Sequence, residues 1–202
     1  MTAAARRHFA EVASNYDRFR ARWPLGAVRA REQRALRDLL IVGRHERVLD
    51  VGCGDGATLR WLRGRGAHPV GVDAVWNMAA LARGSGAPIV VQDMEALGIR
   101  ALFDWVLCVG ALEFTADPAA AICELAACVR PGGRLGLLFP RRSPLGRIYA
   151  AYHRVNGLRI HLFSQREIAA YLTAAGFAVR HEWRDCLLST VCVAQRRSTG
   201  GP

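Results

Sequence analysis

The sequence predicts an α/β domain on a mostly parallel sheet, and three observations lead to it. Short runs rich in Val, Ile and Leu alternate with stretches of helical periodicity between residues 47 and 140, and runs apolar on both faces suit buried parallel strands. Acids close three successive runs, Asp50, Asp73 and Asp93, at the carboxyl edge where open α/β sheets bind their ligands. Two β-rich segments, residues 178–183 and 187–195, end the chain and read as an antiparallel pair.

Length and composition bound the rest. At 202 residues, with 51% hydrophobic and 22% charged content, the chain suits one domain with a full core, covering residues 1–202. A net charge of +11 raises nucleic acid or an anionic membrane as a partner. All 28 basic residues are Arg and none is Lys, a bias spread over the whole chain, which makes nucleic acid the less favoured partner. The six cysteines form no C-x-x-C pair, and neither zinc nor a disulfide framework is expected. No signal-peptide core and no run of 18 apolar residues occurs, so a cytoplasmic enzyme is expected.

The elements follow in order. Phe9, Val12, Ala13, Tyr16 and Phe19 recur at helical spacing and predict an amphipathic helix over residues 3–20. Pro24 suits the first turn of a second helix with Val28, Ala35, Leu36, Leu39 and Leu40 on one side, Arg29, Arg31, Arg34 and Arg37 on a solvated face, and Gly43 at its end. The first strand, Val48 to Val51, runs into a glycine turn, and a helix with Leu59, Trp61 and Leu62 leads to the second strand, which ends in Asp73. A short helix over residues 75–83 precedes the strand at 89–91. The fourth strand, 105–110, is followed by Asp117 and Pro118 as cap and first turn of a helix ending near Pro131 and Gly132. Residues 135–139 make the fifth strand. Residues 140–163 carry five arginines and no acid, and Ser164 and Glu167 form a capping box for the last helix.

The chemistry centres on Asp50-Val51-Gly52-Cys53-Gly54-Asp55-Gly56-Ala57. Glycines after a strand allow positive φ and let backbone lie against a ligand. Gly52, Gly54 and Ala57 satisfy the dinucleotide pattern G-x-G-x-x-G/A, with Asp73 placed as the ribose acid. Asp50 argues against that reading, because its carboxylate would repel a pyrophosphate. It suits a ligand with an ammonium and no phosphate, such as S-adenosylmethionine.

From here the chain resembles the class I, Rossmann-like S-adenosylmethionine-dependent methyltransferases of the small-molecule and quinone type. Val48 to Gly56 is similar to that family's first motif, Gly71-Val72-Asp73 to its second-strand acid, and Gln92-Asp93-Met94 to its adenine-side acid. Phe103 to Cys108 is similar to its fourth strand, and Arg130-Pro131-Gly132-Gly133 to the turn before the fifth. The resemblance implies seven strands in the order 3-2-1-4-5-7-6 with helices on both faces. It also implies an N-terminal lid within residues 1–43, a cofactor-binding core at 44–140, an acceptor-side insert at 141–163, and a closing helix and antiparallel pair at 164–195. It further implies that Asp50 orients the ammonium, that Gly52, Cys53, Gly54 and Gly56 cradle the methionine end, and that Asp73 takes the ribose hydroxyls. Asp93 and Met94 would meet the adenine, with Val109 at the end of the fourth strand. Residues 110–118 resemble the E-H-V-x-D-P stretch of ubiquinone-type O-methyltransferases, with Phe114 where those carry His.

Methyl transfer from a sulfonium needs positioning and, where the acceptor must lose a proton, a base. His153, His161 and Tyr16 are the candidates, with Tyr149 and Tyr152 as substrate-facing aromatics. The expected activity is methylation of an O, C or N atom of a small apolar or lipid-like acceptor, with residues 140–163 as acceptor wall and as a contact for an anionic membrane. The alternatives are an RNA or protein methyltransferase using the Arg-rich surface, and a NAD-binding or non-catalytic module.

Overall fold

A computed structural model describes residues 1–16 and 25–198. The expected Pro24 helix start, residues 17–20 of the expected first helix, and the tail from residue 199 lie outside the described residues. Seven strands form one sheet: β1 (Arg47–Val51), β2 (His68–Asp73), β3 (Ile89–Val91), β4 (Phe103–Val109), β5 (Val129–Pro140), β6 (Phe177–Asp185) and β7 (Ser189–Arg196). Their order is β3-β2-β1-β4-β5-β7-β6. The first five pair in parallel, while β7 runs antiparallel to both β5 and β6. This is the expected sheet, closed by the expected hairpin.

The helices are α1 (Ala3–Val12), α2 (Leu25–Leu39), α3 (Ala57–Gly64), α4 (Trp76–Ala82), α5 (Pro118–Ala127), α6 (Pro144–Val155) and α7 (Gln165–Ala174). Strand alternation assigns them to the two faces. Val106, Cys108, Leu135, Leu137 and Phe139 join Ile122 and Leu125 of α5 and Ile168 and Leu172 of α7 in one core layer. Trp105, Leu107, Leu138, Val191 and Val193 point the other way and meet Ala35 and Leu36 of α2 and Leu62 of α3. Both faces are buried, which is why these strands read as near-continuous apolar runs.

Helix α1 ends at Val12 and passes into a 3₁₀ turn to Asn15, and α2 ends at Leu39, short of the expected Gly43. Two further stretches differ from the sequence expectation. The turn expected at Arg130 to Gly133 is absorbed into a long β5, whose register shifts between the Phe103 and Trp105 pairings. Helix α5 already ends at Ala127, with Cys128 as its C-cap. Residues 140–163, expected only as an insert, contain α6. Pro at its first turn and the Ser143 side chain, which accepts from the Gly146 amide, define its start. The insert closes on itself at the base, where Phe163 N donates to Pro140 O (3.0 Å) and Arg142 N donates to Phe163 O (2.8 Å).

Candidate cofactor and acceptor cavity

The parallel strands deliver their carboxyl ends to one edge. A cavity there is bounded by the β1 turn, the β4 end, α2, α1 and α6. Its first end is the glycine turn. Gly52 and Cys53 both donate their amides to Val72 O (2.8 and 3.0 Å), so the turn is tied to β2. Gly52 has φ +75°, and a methyl group there would stand 2.4 Å from the Ala111 Cβ.

Asp50 lines this end and is 1% exposed. Neither of its oxygens has a hydrogen-bond partner among the described residues. Buried carboxylates are otherwise almost always satisfied. Burial, reinforced by the charges of Asp73 and Asp55, pushes its carboxyl up to about 7. The same surroundings raise the Cys53 thiol, through burial first and then Asp50 and Asp73, so the thiol stays neutral. An electronegative pocket with an orphaned carboxyl is what a ligand carrying an ammonium and a sulfonium would satisfy. The residues present therefore fit S-adenosylmethionine.

The other expected cofactor residues divide. Gly54 and Val109 line the cavity with Asp50, Gly52 and Cys53. Gly56, Asp73, Asp93 and Met94 are not on its wall. Gly56 has φ +79°, and a methyl group there would come within 3.1 Å of the Ala82 backbone, so this glycine lets the turn pack on α4. Asp73 holds the turn from below, accepting from Gly54 N (2.9 Å) and Val75 N (2.8 Å). Met94 is buried behind Gly52. Asp93 accepts from Arg6 Nη2 (2.8 Å), the Met1 amine (2.8 Å) and Glu95 N (3.1 Å). Burial raises its carboxyl, but the Met1 amine, the Glu95 amide and Arg6 together outweigh this and hold it low.

Helix α1 lies across this edge. Besides the Arg6 pair, Thr2 N donates to Phe114 O (3.0 Å) and Asn77 Nδ2 donates to Ala10 O (2.9 Å). His8, Phe9 and Tyr16 line the cavity from it, which is where an N-terminal lid would act.

The second end is aromatic and acidic. Phe9 meets Phe114 edge to face at 5.0 Å, Phe114 meets His153 at 5.9 Å, and Tyr149 meets His153 at 4.5 Å. Tyr16 and His153 are thus at the cavity, as expected of candidate bases. His153 is held down to about 4 by burial first and then by His8 and Arg29, so its ring is neutral at pH 7 and a weak base. His161 is off the cavity wall. Its Nε2 lies 3.2 Å from Thr115 O and its amide donates to Glu113 O (3.0 Å), so it braces the loop after β4.

Two groups were not expected here. Glu113 is 4% exposed, lines the cavity, and its Oε2 has no partner among the described residues. Arg29, assigned by sequence to a solvated face, lines the cavity beside Glu32 and Gln33 of α2. Arg31, Arg34 and Arg37 are exposed as expected. Ser189 Oγ donates to Glu32 Oε1 (2.6 Å). The available signal was spacing, since Glu32 follows Arg29 by three residues on the side of the buried Leu36.

The model of a methyltransferase domain family matches residues 5–182. A ubiquinone biosynthesis O-methyltransferase from Aeromonas salmonicida (strain A449) is 34% identical over 107 residues, covering 49% of this chain and 45% of the relative. Another of that name from Xanthomonas euvesicatoria pv. vesicatoria (strain 85-10) is 32% identical over 147 residues, covering 64% of this chain and 62% of the relative. The chain thus spans about half the length of the curated relatives it matches. Among solved structures, a SAM-dependent methyltransferase from Thermotoga maritima superposes with a TM-score of 0.78 at 22% identity, covering 94% and 98% of the two chains. Magnesium protoporphyrin IX methyltransferase from Synechocystis PCC 6803, with bound S-adenosylhomocysteine, gives 0.72 at 21%, covering 91% and 94%. Sheet order, the buried aspartate at the glycine turn and a family match over most of the sequence agree, and the chain belongs to the methyltransferase domain family, among the class I S-adenosylmethionine-dependent enzymes.

Proposed function

We propose that this chain transfers a methyl group from S-adenosylmethionine to an O, C or N atom of a small, apolar acceptor. The observation that carries the reading is one cavity that brings together an orphaned Asp50 beside the glycine turn and a set of aromatic rings. When bound, the cofactor supplies an electrophilic methyl carbon, the electrons of its bond to sulfur leaving with the sulfur. The chain's own part is to hold the two ends in register. Asp50 would take the ammonium, the turn at Gly52 and Gly54 would lie along the methionine end, and α1 and α6 would exclude water. The named role of the curated relatives, ubiquinone biosynthesis, supports an apolar acceptor and a cytoplasmic enzyme. The acidic second end argues against an acceptor presented on a phosphate backbone.

Calorimetry should show binding of S-adenosylmethionine or S-adenosylhomocysteine and none of NAD. A labelled-methyl screen of small apolar compounds would then identify the acceptor, and NAD binding without S-adenosylhomocysteine binding would refute the reading. Asp73→Ala is expected to weaken S-adenosylhomocysteine by roughly tenfold to 150-fold. It would remove contacts to the ribose hydroxyls and also leave the Gly54 and Val75 amides without their acceptor. Unchanged affinity would remove Asp73 from the site.

Helix α6 supports peripheral contact with an anionic membrane. Leu145, Ile148, Tyr152 and Val155 are exposed at spacings of three and four residues and so form one apolar stripe, and Tyr152 also lines the cavity. Arg147 and Arg154 are exposed on the same helix. Arg141 and Arg142 pair instead with Asp185 (3.2 Å) and Glu167 (2.8 Å), so their place is at the base of the insert. Replacing Ile148 and Val155 by Ser, and Arg147 and Arg154 by Gln, should abolish binding to phosphatidylglycerol vesicles while sparing cofactor affinity. Vesicle binding retained in that variant would count against the membrane contact.

A further inference from the structure

We propose that Glu113 takes the proton from the methyl acceptor, and that the acceptor is therefore an aromatic compound bearing a hydroxyl or amine hydrogen. The inference rests on the cofactor assignment above and concerns the other end of the same cavity. Glu113 stands on the single turn Leu112–Phe114 directly after β4, at the carboxyl edge where Asp50 also lies. A glutamate buried only for structure would have its oxygens satisfied, since an unmet buried acceptor costs about 1–3 kcal/mol. Here Oε2 has no donor among the described residues although the side chain lines the cavity. A ligand hydrogen supplies what no described residue does.

The groups around it narrow the ligand. The ring edges of Phe9, Phe114, Tyr149 and His153 form a wall suited to a flat apolar body. Among the described residues, Glu32 and Arg29 from α2, Tyr149 from α6 and Cys108 from β4 are ionisable groups that feel the charge of Glu113 or act on it. Arg29 can offset one of the two carboxyls, but with Glu113 ionised as a base the site would hold two acids against one cation, which disfavours a carboxylate or phosphate acceptor. A neutral donor suits this site better.

The two histidines are weaker candidates for the proton. His161 is off the cavity, and His153 is held down to about 4. Burial raises the Glu113 carboxyl to about 8, with its own backbone hydrogen bond opposing, Glu32 adding and Arg29 opposing. That places it near working pH, where a general base is most effective. In the step, the O–H or N–H bond breaks, its electron pair stays on the acceptor atom as that atom bonds to the methyl carbon, and the proton passes to Oε2. It leaves to solvent when the product departs.

The test uses the full chain loaded with S-adenosylhomocysteine. Catechol and aniline are titrated by calorimetry between pH 6 and pH 8.5, against 1,2-dimethoxybenzene, which has no hydrogen to give. The wild type should bind catechol or aniline roughly tenfold tighter than the ether, with an advantage that grows as pH rises through about 8. In Glu113→Gln the pH dependence should vanish while S-adenosylhomocysteine affinity is unchanged, and methyl transfer should fall roughly 10²- to 10⁴-fold. Equal binding of catechol, aniline and the ether, binding of none of them, or a pH rise surviving in the Gln variant would overturn the proposal. The wild-type comparison stands even if the variant does not fold. Failure of the wild type to bind S-adenosylhomocysteine would instead overturn the cofactor assignment.

Discussion

Replacing Asp50 by Asn is expected to lower S-adenosylmethionine affinity by roughly 150-fold to 5,000-fold, the 3–5 kcal/mol lost when one member of a buried charge pair is removed. It is also expected to change how the free protein's stability depends on pH. Burial first, then Asp73 and Asp55, raise the folded-state pKa of Asp50 to about 7 from an ordinary 3.8. Between those values the folded chain binds more protons than the unfolded one, so this group's contribution to stability falls as pH rises. The cost is absent below about pH 3.8 and complete above about pH 7, on the order of 4 kcal/mol. Denaturant melts at pH 5 and pH 8, without ligand, should therefore show the wild type losing more stability than the Asn variant. Identical losses would mean that burial does not raise the Asp50 carboxyl. The cofactor's ammonium would neutralise the carboxylate, so wild-type affinity should weaken as pH falls below about 7.

A single methyl group at Gly52 should be nearly as damaging. It would meet the Ala111 Cβ at 2.4 Å, and the residue has φ +75°. Left-handed strain of about 1–2 kcal/mol and overpacking of about 1–3 kcal/mol act together. Gly52→Ala should thus lower Tm by about 5–15 °C for a chain of this size. It should also lose cofactor binding, because the turn moves away from its ties to Val72 O. Gly54 provides the control. Its φ of +56° brings similar strain, but a methyl there would meet the ends of Met78 at 3.6 Å and Tyr16 at 3.9 Å, both ordinary contacts. Gly54→Ala should therefore cost about 1–2 kcal/mol in stability. Thermal melts placing the two variants within 2 °C of each other would refute the close approach of the β1 turn to Ala111.

The architecture was legible because its signals are local. Val48, Leu49 and Val51, then Gly52, then the apolar side of α3 state a strand, a sharp turn and a helix through residues next to one another. The same holds for Asp117 and Pro118 at the start of α5, and for Ser164 and Glu167 at α7. Asp50 could be placed at the cavity beside the glycine turn because its position follows from the glycines two and four residues away. Helix α6 was hidden because its buried face, Gly146 and His153, is narrow and its outward stripe is apolar, a pattern without the usual polar and apolar division.

The sequence by itself thus determined the sheet, its closing hairpin and the glycine turn at the carboxyl edge, since each follows from neighbours along the chain and from strand or helix period. Only the tertiary structure decided which polar groups share the cavity. Arg29 and Glu32 reach it because α2 packs on Trp105 and Leu107, and Glu113 reaches it because β4 ends beside β1. His161 and Asp93, plausible from position, are drawn to the Glu113 loop and to Arg6. The physical reason is desolvation: an acid's role depends on what excludes water from it and which donors reach it, and for these residues both come from elements far away in the chain.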